Sequence, residues 1–136
     1  MATKLFYFAI RLRKLHLSIL ARIIDLLIRF LYACEISSKM QIGGGMRLLH
    51  NGLGVVIHPK SVIGENLRIH QNVTIGGRTG YGLPIIGNNV MIGAGAVIMG
   101  EIKVGNNVKI GANAVVMTDI PDNCIAVGVP AKIIYK

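Results

Sequence analysis

His50 and Glu35 are residues whose types, an imidazole and a carboxylate, could together activate a hydroxyl group as a nucleophile. A neutral imidazole can take the proton of a hydroxyl in the transition state. A carboxylate on the other ring nitrogen fixes the tautomer and stabilises the imidazolium. No Ser-His-Asp or Cys-His arrangement competes with this pair. The alternative is structural, in which His50 occupies a turn and Glu35 caps the end of a helix.

Among the other histidines, only His70 has a candidate role. His58 precedes Pro59 and is expected in a surface turn, and His16 falls in a segment with a helical pattern. His70 follows a residue predicted to point inward, so we expect it to face outward, where it could contact acceptor or cofactor. No histidine or cysteine spacing is typical of a metal site, and no metal is expected.

The composition divides the chain near residue 42. All 17 glycines and all 4 prolines follow this point, whereas the 3 phenylalanines precede it. The apolar content argues against disorder, and Cys34 and Cys124, expected as reduced thiols, cannot form a disulfide framework. The net charge is +9, but no nucleic-acid motif accompanies it, so we expect no nucleic-acid partner.

Residues 1–34 have the pattern of an amphipathic helix with a narrow cationic stripe. The residues that share this stripe at helical spacing are Lys4, Arg11, Lys14, Ser18, Arg22, Asp25 and Arg29. The uncharged runs are shorter than the roughly 20 residues of a membrane span, and a secretory signal fits poorly. A helix lying in a membrane interface fits this pattern, and the alternative is a helix packed against a partner subunit.

After residue 42, aliphatic residues recur every six positions. The first places of the hexads are Ile42, Leu48, Ile57, Ile63, Ile69, Ile75, Ile86, Ile92, Ile98, Val104, Ile110 and Val116. The fourth places hold residues that adopt positive φ at low cost, namely Gly45, Asn51, Asn66, Asn72, Asn89, Gly95, Asn107 and Asn113. This period predicts a parallel β-helix of hexapeptide repeats with about four coils.

A single helix over residues 1–34 would be longer than this β-helix is tall. About 30 helical residues span about 45 Å, whereas four coils at about 4.8 Å each rise about 19 Å. The helix must bend back, cross neighbouring subunits or lie on a membrane. We therefore divide the chain into a capping helix at 1–34 and a β-helix domain at 35–136.

Two breaks in the hexad phase are where we expect the chemistry. The spacing between inward aliphatic residues is nine instead of six around His50, and eleven around the segment 77–84. The extra residues at 77–84 must form a loop that leaves the prism. Such excursions from a rigid scaffold commonly line binding sites.

Residues 35–134 resemble the hexapeptide-repeat acyltransferase superfamily, in its serine O-acetyltransferase-like branch. The matching segments are Leu-Leu-His-Asn-Gly (48–52), Gln-Asn-Val-Thr-Ile-Gly-Gly (71–77), Val-Met-Ile-Gly-Ala-Gly-Ala-Val (90–97) and Gly-Val-Pro-Ala-Lys (128–132). The resemblance implies a mainly β fold with a left-handed β-helix, and a homotrimer with sites between subunits. It also implies that His50 is the catalytic base and that Glu35, fifteen residues earlier where the family has Asp, holds it in a dyad.

The resemblance further implies acetyl-CoA as the acyl donor, bound in a groove between subunits. Ala94 and Ala112 are eighteen residues apart, which is one full coil, so they should stack in a track without large side chains. The pantetheine arm lies in such a track in this family. Gly77 matches the thioester end, and Lys132 could meet the nucleotide phosphates as a point charge.

Three positions depart from the serine enzymes. Leu49 stands where those enzymes have an Asp for the serine amine, and Gly82 and Leu83 replace an Arg-His pair for the serine carboxylate. A site without these groups should bind a zwitterion poorly. The sequence therefore favours a sugar hydroxyl as acceptor, in surface polysaccharide synthesis, with substrate contacts from Leu49, His70 and Leu83.

Two alternatives remain beside this sugar O-acetyltransferase. One is a short serine O-acetyltransferase with different carboxylate contacts, and the other is an inert membrane-associated trimeric scaffold. The expected partners are further copies of the chain, a small-molecule or lipid-linked acceptor, and an anionic membrane surface. The expected location is the cytoplasm, peripheral on the inner face of the membrane where the helix binds lipid.

Overall fold

The computed structural model describes residues 1–79 and 82–135, which form a helical hairpin followed by a parallel β-solenoid. Helix α1 spans Ala2–Lys14 and helix α2 spans Ser18–Tyr32. The strands are β1 (Gln41–Ile42), β2 (Arg47–Leu48), β3 (Val56–Ile57), β4 (Val62–Ile63), β5 (Arg68–Ile69), β6 (Thr74–Gly76), β7 (Ile85–Ile86), β8 (Met91–Ile92), β9 (Val97–Met99), β10 (Lys103–Val104), β11 (Lys109–Ile110), β12 (Val115–Val116), β13 (Cys124–Val127) and β14 (Lys132–Tyr135).

The strands stack in three sheets, which are the faces of the solenoid. The β1 face contains β1, β4, β7 and β10, and the β3 face contains β3, β6, β9 and β12. The β2 face runs β2, β5, β8, β11, β13 and β14. All of these pairings are parallel except that of β13 with β14, which closes the far end. The predicted β-helix of about four coils is confirmed.

The core follows the six-residue period. The first-place aliphatic residues are buried from Leu48 to Val116, and Ile42 in the lowest coil is half-buried. Four small or branched residues fill the space beside them, namely Val73, Ala96, Val108 and Ala114. All the predicted fourth-place residues have positive φ, between 55° at Asn89 and 75° at Gly45. Each face therefore buries one side of its strands, and each coil turns where Asn or Gly allows it.

The helical segment forms two helices instead of one continuous helix of about 30 residues. The chain leaves helical geometry at residues 15–17, where His16 has φ 61°, and α2 packs back against α1. Tertiary packing explains the break, since folding back lets Phe6 of α1 and Ile28 of α2 bury together in the solenoid core cluster. Of the three options for the long helix, bending back is the one adopted. The division into domains at 1–34 and 35–136 stays a prediction.

Helix α1 covers the open end of the solenoid and satisfies its backbone. Tyr7 Oη donates a hydrogen bond to the Gly43 carbonyl at 3.1 Å and accepts one from the Met46 amide at 2.8 Å. Thr3 Oγ1 accepts a hydrogen bond from the Leu48 amide at 3.1 Å. These backbone groups belong to the lowest coil and would otherwise form an unpaired edge.

Asp25 connects both helices to the segment before β1. Its carboxylate accepts hydrogen bonds from the Ser38 amide and from Ser38 Oγ, the latter at 2.8 Å. Arg13 of α1 donates to Ser38 Oγ at 3.0 Å and lies 3.9 Å from the Asp25 carboxylate. The hairpin is thereby fixed to the solenoid by polar contacts as well as by apolar burial. Neither of the two helices in the described ranges is long and apolar enough to cross a membrane.

We predict that Tyr7→Phe lowers the free energy of unfolding by about 1–3 kcal/mol, because it leaves the Met46 amide and the Gly43 carbonyl without their shared partner. Urea denaturation followed by circular dichroism measures this change. Tyr135→Phe is the matched control, since Tyr135 is exposed and its loss should change stability by less than about 0.5 kcal/mol. Equal midpoints for the two variants would contradict the capping role.

Candidate active site

His50 lies in a 3-10 turn, Leu49–Gly52, that leads out of β2. Its φ is 52° and that of Asn51 is 57°, both in the left-handed region that non-glycine residues rarely adopt. The Asn51 amide oxygen accepts hydrogen bonds from the backbone nitrogens of Met1 and Ala2, so the start of α1 holds this turn. The three extra residues of the phase break thus present an exposed imidazole at a strained turn, which is where functional residues often lie.

His70 lies beside His50, one coil higher. It follows β5, and its ring centroid is 6.4 Å from that of His50, with a 46° angle between the planes. His70 is half-buried, whereas His50 is exposed. The predicted outward position of His70 is therefore observed, and its role in substrate binding stays a prediction. His58 lies in a turn, as expected, with its Nδ1 accepting a hydrogen bond from the Lys60 amide.

Glu35 occupies the coil position below β3, where its backbone bridges Val56. Its carboxylate lies 3.5 Å from the Arg29 guanidinium of α2, and both side chains are more than half exposed, at 55% and 64%. Among the described residues no hydrogen bond or ion pair joins Glu35 to His50. An exposed ion pair contributes at most about 1 kcal/mol, so Glu35 can exchange Arg29 for another partner at low cost.

Cys34 is buried directly beneath the His50 turn. A side chain at Gly52 would begin 2.8 Å from its Sγ, and burial raises the pKa of this thiol to about 12. Both Cys34 and Cys124 are free, as the sequence predicts. A thiol with a raised pKa is a poor nucleophile, so Cys34 is not a candidate catalytic residue.

Ala94, Ala112 and Lys132 lie along the same corner of the solenoid, above the histidines, whereas Gly77 follows a strand of the β3 face and lies at a different corner. Ala94 and Ala112 stack one coil apart, with the Asn113 amide donating to the Ala94 carbonyl at 2.8 Å. Gly77 directly follows β6, and Lys132 begins β14 at the far end. Gln71 adds a feature that the sequence analysis missed, since its Oε1 is buried without a hydrogen-bond partner in the described part of the chain. The stacking is observed, and the binding roles stay predictions.

The predicted acceptor residues Leu49 and Leu83 are both half-buried. Leu49 precedes His50 in the turn, whereas Leu83 precedes β7 in the loop at 77–84. Positions 80 and 81 of that loop lie outside the described residues. The coils resume in register after it, with Ile85 and Ile86 paired to β4, as predicted. Within the described ranges no three His, Cys, Asp or Glu residues are grouped as metal ligands.

A cationic column on the β2 face was not predicted from the sequence. Arg47 is paired with Arg68, Arg68 with Met91 and Met91 with Lys109, so the cations stand one above another. They line a groove of about 600 Å³. Its other wall is formed by Asn66, Asn89 and Asn107, which belong to a ladder of side-chain amide hydrogen bonds that continues to Asn123. The sequence feature that could have revealed this column is the basic residue before an inward aliphatic, which recurs in three of the strands on this face.

Family models and relatives agree with this geometry. A model described as bacterial transferase hexapeptide (six repeats) matches residues 84–117, and one described as hexapeptide repeat of succinyl-transferase matches residues 66–99. A serine acetyltransferase of Helicobacter pylori is 42% identical over 128 residues, which cover 92% of this chain and 74% of that protein. One of Synechococcus elongatus is 39% identical over 123 residues, covering 88% and 50%.

Solved structures show the same similarity. Soybean serine acetyltransferase apoenzyme has a TM-score of 0.86 at 38% identity, covering 98% of this chain and 56% of the soybean chain. The serine acetyltransferase of Brucella abortus in complex with coenzyme A has a TM-score of 0.88 at 33% identity, covering 99% and 55%. The chain therefore spans about half the length of these structures and of the Synechococcus relative.

The raised pKa of Cys34 predicts slow alkylation. In a Cys124→Ser background, iodoacetamide at pH 8 should label the native protein about a thousandfold more slowly than the urea-unfolded protein, because only the thiolate reacts and the thiol pKa is about 12 instead of 9.0. Between pH 8 and pH 10 the native rate should keep rising with pH, whereas the unfolded rate levels off above pH 9. Labelling of native protein at the unfolded rate would contradict burial of this thiol beneath the His50 turn.

Proposed function

Because the chain belongs to the serine acetyltransferase family of hexapeptide-repeat proteins, we propose that it is an O-acetyltransferase that moves the acetyl group of acetyl-CoA to the hydroxyl of L-serine. The observation that carries this proposal is the exposed His50 imidazole at a strained turn, with His70 beside it and the alanine track above. The relatives named above are serine acetyltransferases, so the sugar acceptor expected from the sequence finds no support among them. The serine alternative of the sequence analysis is the better one.

The reaction is a direct transfer in which His50 is the base. The serine hydroxyl oxygen attacks the thioester carbonyl carbon while His50 accepts the hydroxyl proton. The tetrahedral intermediate then collapses, the carbon–sulfur bond breaks, and His50 returns the proton to the departing thiolate of CoA. Glu35 would leave Arg29 and accept a hydrogen bond from the second nitrogen of the imidazole, which stabilises the imidazolium.

The donor would lie along the corner that carries Ala94 and Ala112, because these residues leave room for a narrow chain. By rotating outward, the Gln71 side chain could bring its buried, unpaired Oε1 to an amide of the pantetheine arm and accept a hydrogen bond from it. Gly77 would sit at the thioester end and Lys132 near the phosphates. The Brucella abortus relative in complex with coenzyme A supports the choice of donor.

We also propose that the chain forms a homotrimer with sites between subunits. The outward residues of the β3 face are Val56, Thr74, Val97 and Val115, which are apolar or β-branched. The other two faces carry cations on their outer sides, Lys103 on the β1 face and Arg47, Arg68 and Lys109 on the β2 face. The four uncharged positions stack above Glu35 on the β3 face, and such a surface suits packing against another copy of the chain.

The helical hairpin would hold this assembly on the cytoplasmic side of an anionic membrane. Seven large apolar side chains of α2 are exposed, with Phe30 at 86% and Ile19 at 77%. Exposed basic residues flank them on both helices, namely Lys4, Arg11, Lys14, Arg22 and Arg29. The only acid at 1–34, Asp25, is half-buried and occupied by Ser38 and Arg13. A cationic, apolar surface without free acids complements anionic lipid.

Substitution of the dyad tests the catalytic proposal. His50→Ala should lower kcat for acetyl transfer to L-serine by about 10²–10⁴-fold, the range for loss of a general base. Glu35→Gln should cost less, because the base remains and only its orientation weakens. His58→Ala is the matched control, since this exposed imidazole lies in a turn away from the pair, and it should keep full activity. Near-normal turnover by a folded His50→Ala protein would rule out the base assignment.

Liposome flotation tests the membrane proposal. The full chain should float with vesicles containing phosphatidylserine and much less with pure phosphatidylcholine, because the flanking charges contribute about 1 kcal/mol each near an anionic surface. Ile19→Ser/Phe30→Ser should abolish flotation. Val129→Ser is the control, since Val129 is exposed on the solenoid. The opposite outcome is a wild type that does not bind vesicles and a double variant that forms a smaller oligomer than the wild type in light scattering. In that case a second copy of the chain covers this face and the membrane proposal fails.

A further inference from the structure

We propose that Arg47 and Arg68 on the β2 face bind the carboxylate of the acceptor and thereby make the enzyme selective for an acceptor that carries a negative charge. This inference rests on the proposed function, because it names what holds the acceptor beside His50. The two arginines stand on adjacent rungs of the solenoid, in direct register. Rungs are about 4.8 Å apart, a spacing at which two guanidinium groups can share one carboxylate.

No negative charge balances this column. The groove it lines contains no acidic residue. Arg47 and Arg68 take no part in the ion pairs at the helical hairpin, which are those of Arg13 with Asp25 and of Arg29 with Glu35. Each asparagine of the opposite wall donates an amide hydrogen to the asparagine of the next coil. The charged donors in the groove are all cationic, and an oxyanion is the ligand chemistry that they fit.

The cations stand between the asparagine ladder and the imidazoles, because the asparagines precede the strands of the β2 face and the histidines follow them. Arg68 and His70 are two residues apart, and the His70 amide still bonds to the neighbouring strand, to the Ile92 carbonyl. Alternate residues of a strand point to the same side, about 6.7 Å apart. Arg47 precedes His50 by three residues on the coil below. An amino acid whose hydroxyl lies at His50 can therefore place its carboxylate within reach of the long arginine side chains.

This placement accounts for an apparent conflict between the sequence and its relatives. Gly82 and Leu83 offer no charge to a carboxylate, yet the relatives act on serine by name. A carboxylate contact supplied from the solenoid face would replace the contact that the loop lacks. Selectivity would then come from Arg47 and Arg68, since a buried or half-buried anion without a partner binds poorly.

Steady-state kinetics with L-serine and L-serinamide tests the inference, because the amide keeps the hydroxyl and the amine but lacks the negative charge. In Arg47→Gln/Arg68→Gln, KM for L-serine should rise by about 10- to 100-fold, as expected for loss of charge-assisted hydrogen bonds. The values of kcat, of KM for L-serinamide and of KM for acetyl-CoA should stay near those of the wild type. Arg68→Lys should retain part of the selectivity.

Lys103→Gln is the control for loss of surface charge, because Lys103 is an exposed cation on the β1 face, and it should leave every constant unchanged. An unchanged KM for L-serine in the double arginine variant would overturn the inference while the proposed function stands. A rise in KM for acetyl-CoA, absent with dephospho-CoA, would assign the arginines to a donor phosphate and also overturn it. A wild type that does not acetylate L-serine would overturn the proposed acceptor and this inference together.

Discussion

The solenoid depends on a backbone that can turn into the left-handed region once in each hexad. Asn66, Asn89, Asn107 and Asn123 meet this requirement on one corner, with φ of 55–60°. Their side-chain amides also donate upward from coil to coil. One residue type thus permits the turn and bonds it to the next coil, which supports the register that the strand pairings of the three faces share. Everything placed on the faces, from the imidazoles to the arginines, takes its position from this register.

The lower end of the solenoid combines capping with presentation of the imidazole. Thr3 and Tyr7 occupy the backbone of the lowest coil, and the start of α1 bonds to Asn51 in the His50 turn. The same helices carry Arg29 to Glu35. The hairpin therefore closes the core, holds the turn that carries the proposed base, and contacts the carboxylate proposed to orient it. Stability and chemistry share one set of contacts at this end.

The sequence predicts the solenoid well because burial there is a function of period alone. Each first-place aliphatic has one environment, and each fourth-place Asn or Gly has one backbone conformation. The hairpin was not predictable in this way. Residues 15–17 contain neither Gly nor Pro, and the break arises because Phe6 and Ile28 gain burial on the same core.

Spacing predicted that Ala94 and Ala112 stack, but not that His50 and His70 meet or which charges pair. His50 and His70 are brought together because they end neighbouring strands of one face. The partner of Glu35 in the structure is Arg29, which depends on the fold of the hairpin and not on the fifteen-residue spacing to His50. In the sequence, Arg47 and Arg68 each precede an inward aliphatic residue. Only the pairing of their strands in the structure shows that the two arginines are neighbours.

Because both ends of the solenoid are closed, its height is fixed, and this height sets the distance along its axis between the His50 turn and Lys132. His50 leaves the lowest strand of the β2 face, and Lys132 begins β14 beyond the highest parallel strand. Five rungs separate β2 from β14, which is about 24 Å at about 4.8 Å each. In the proposed binding mode, the reactive group of the donor beside His50 and its charged end near Lys132 would be separated by a comparable length. Inserting or deleting one eighteen-residue coil would change that length in a single step of about 4.8 Å, while the turns, the caps and the imidazole pair keep their local structure.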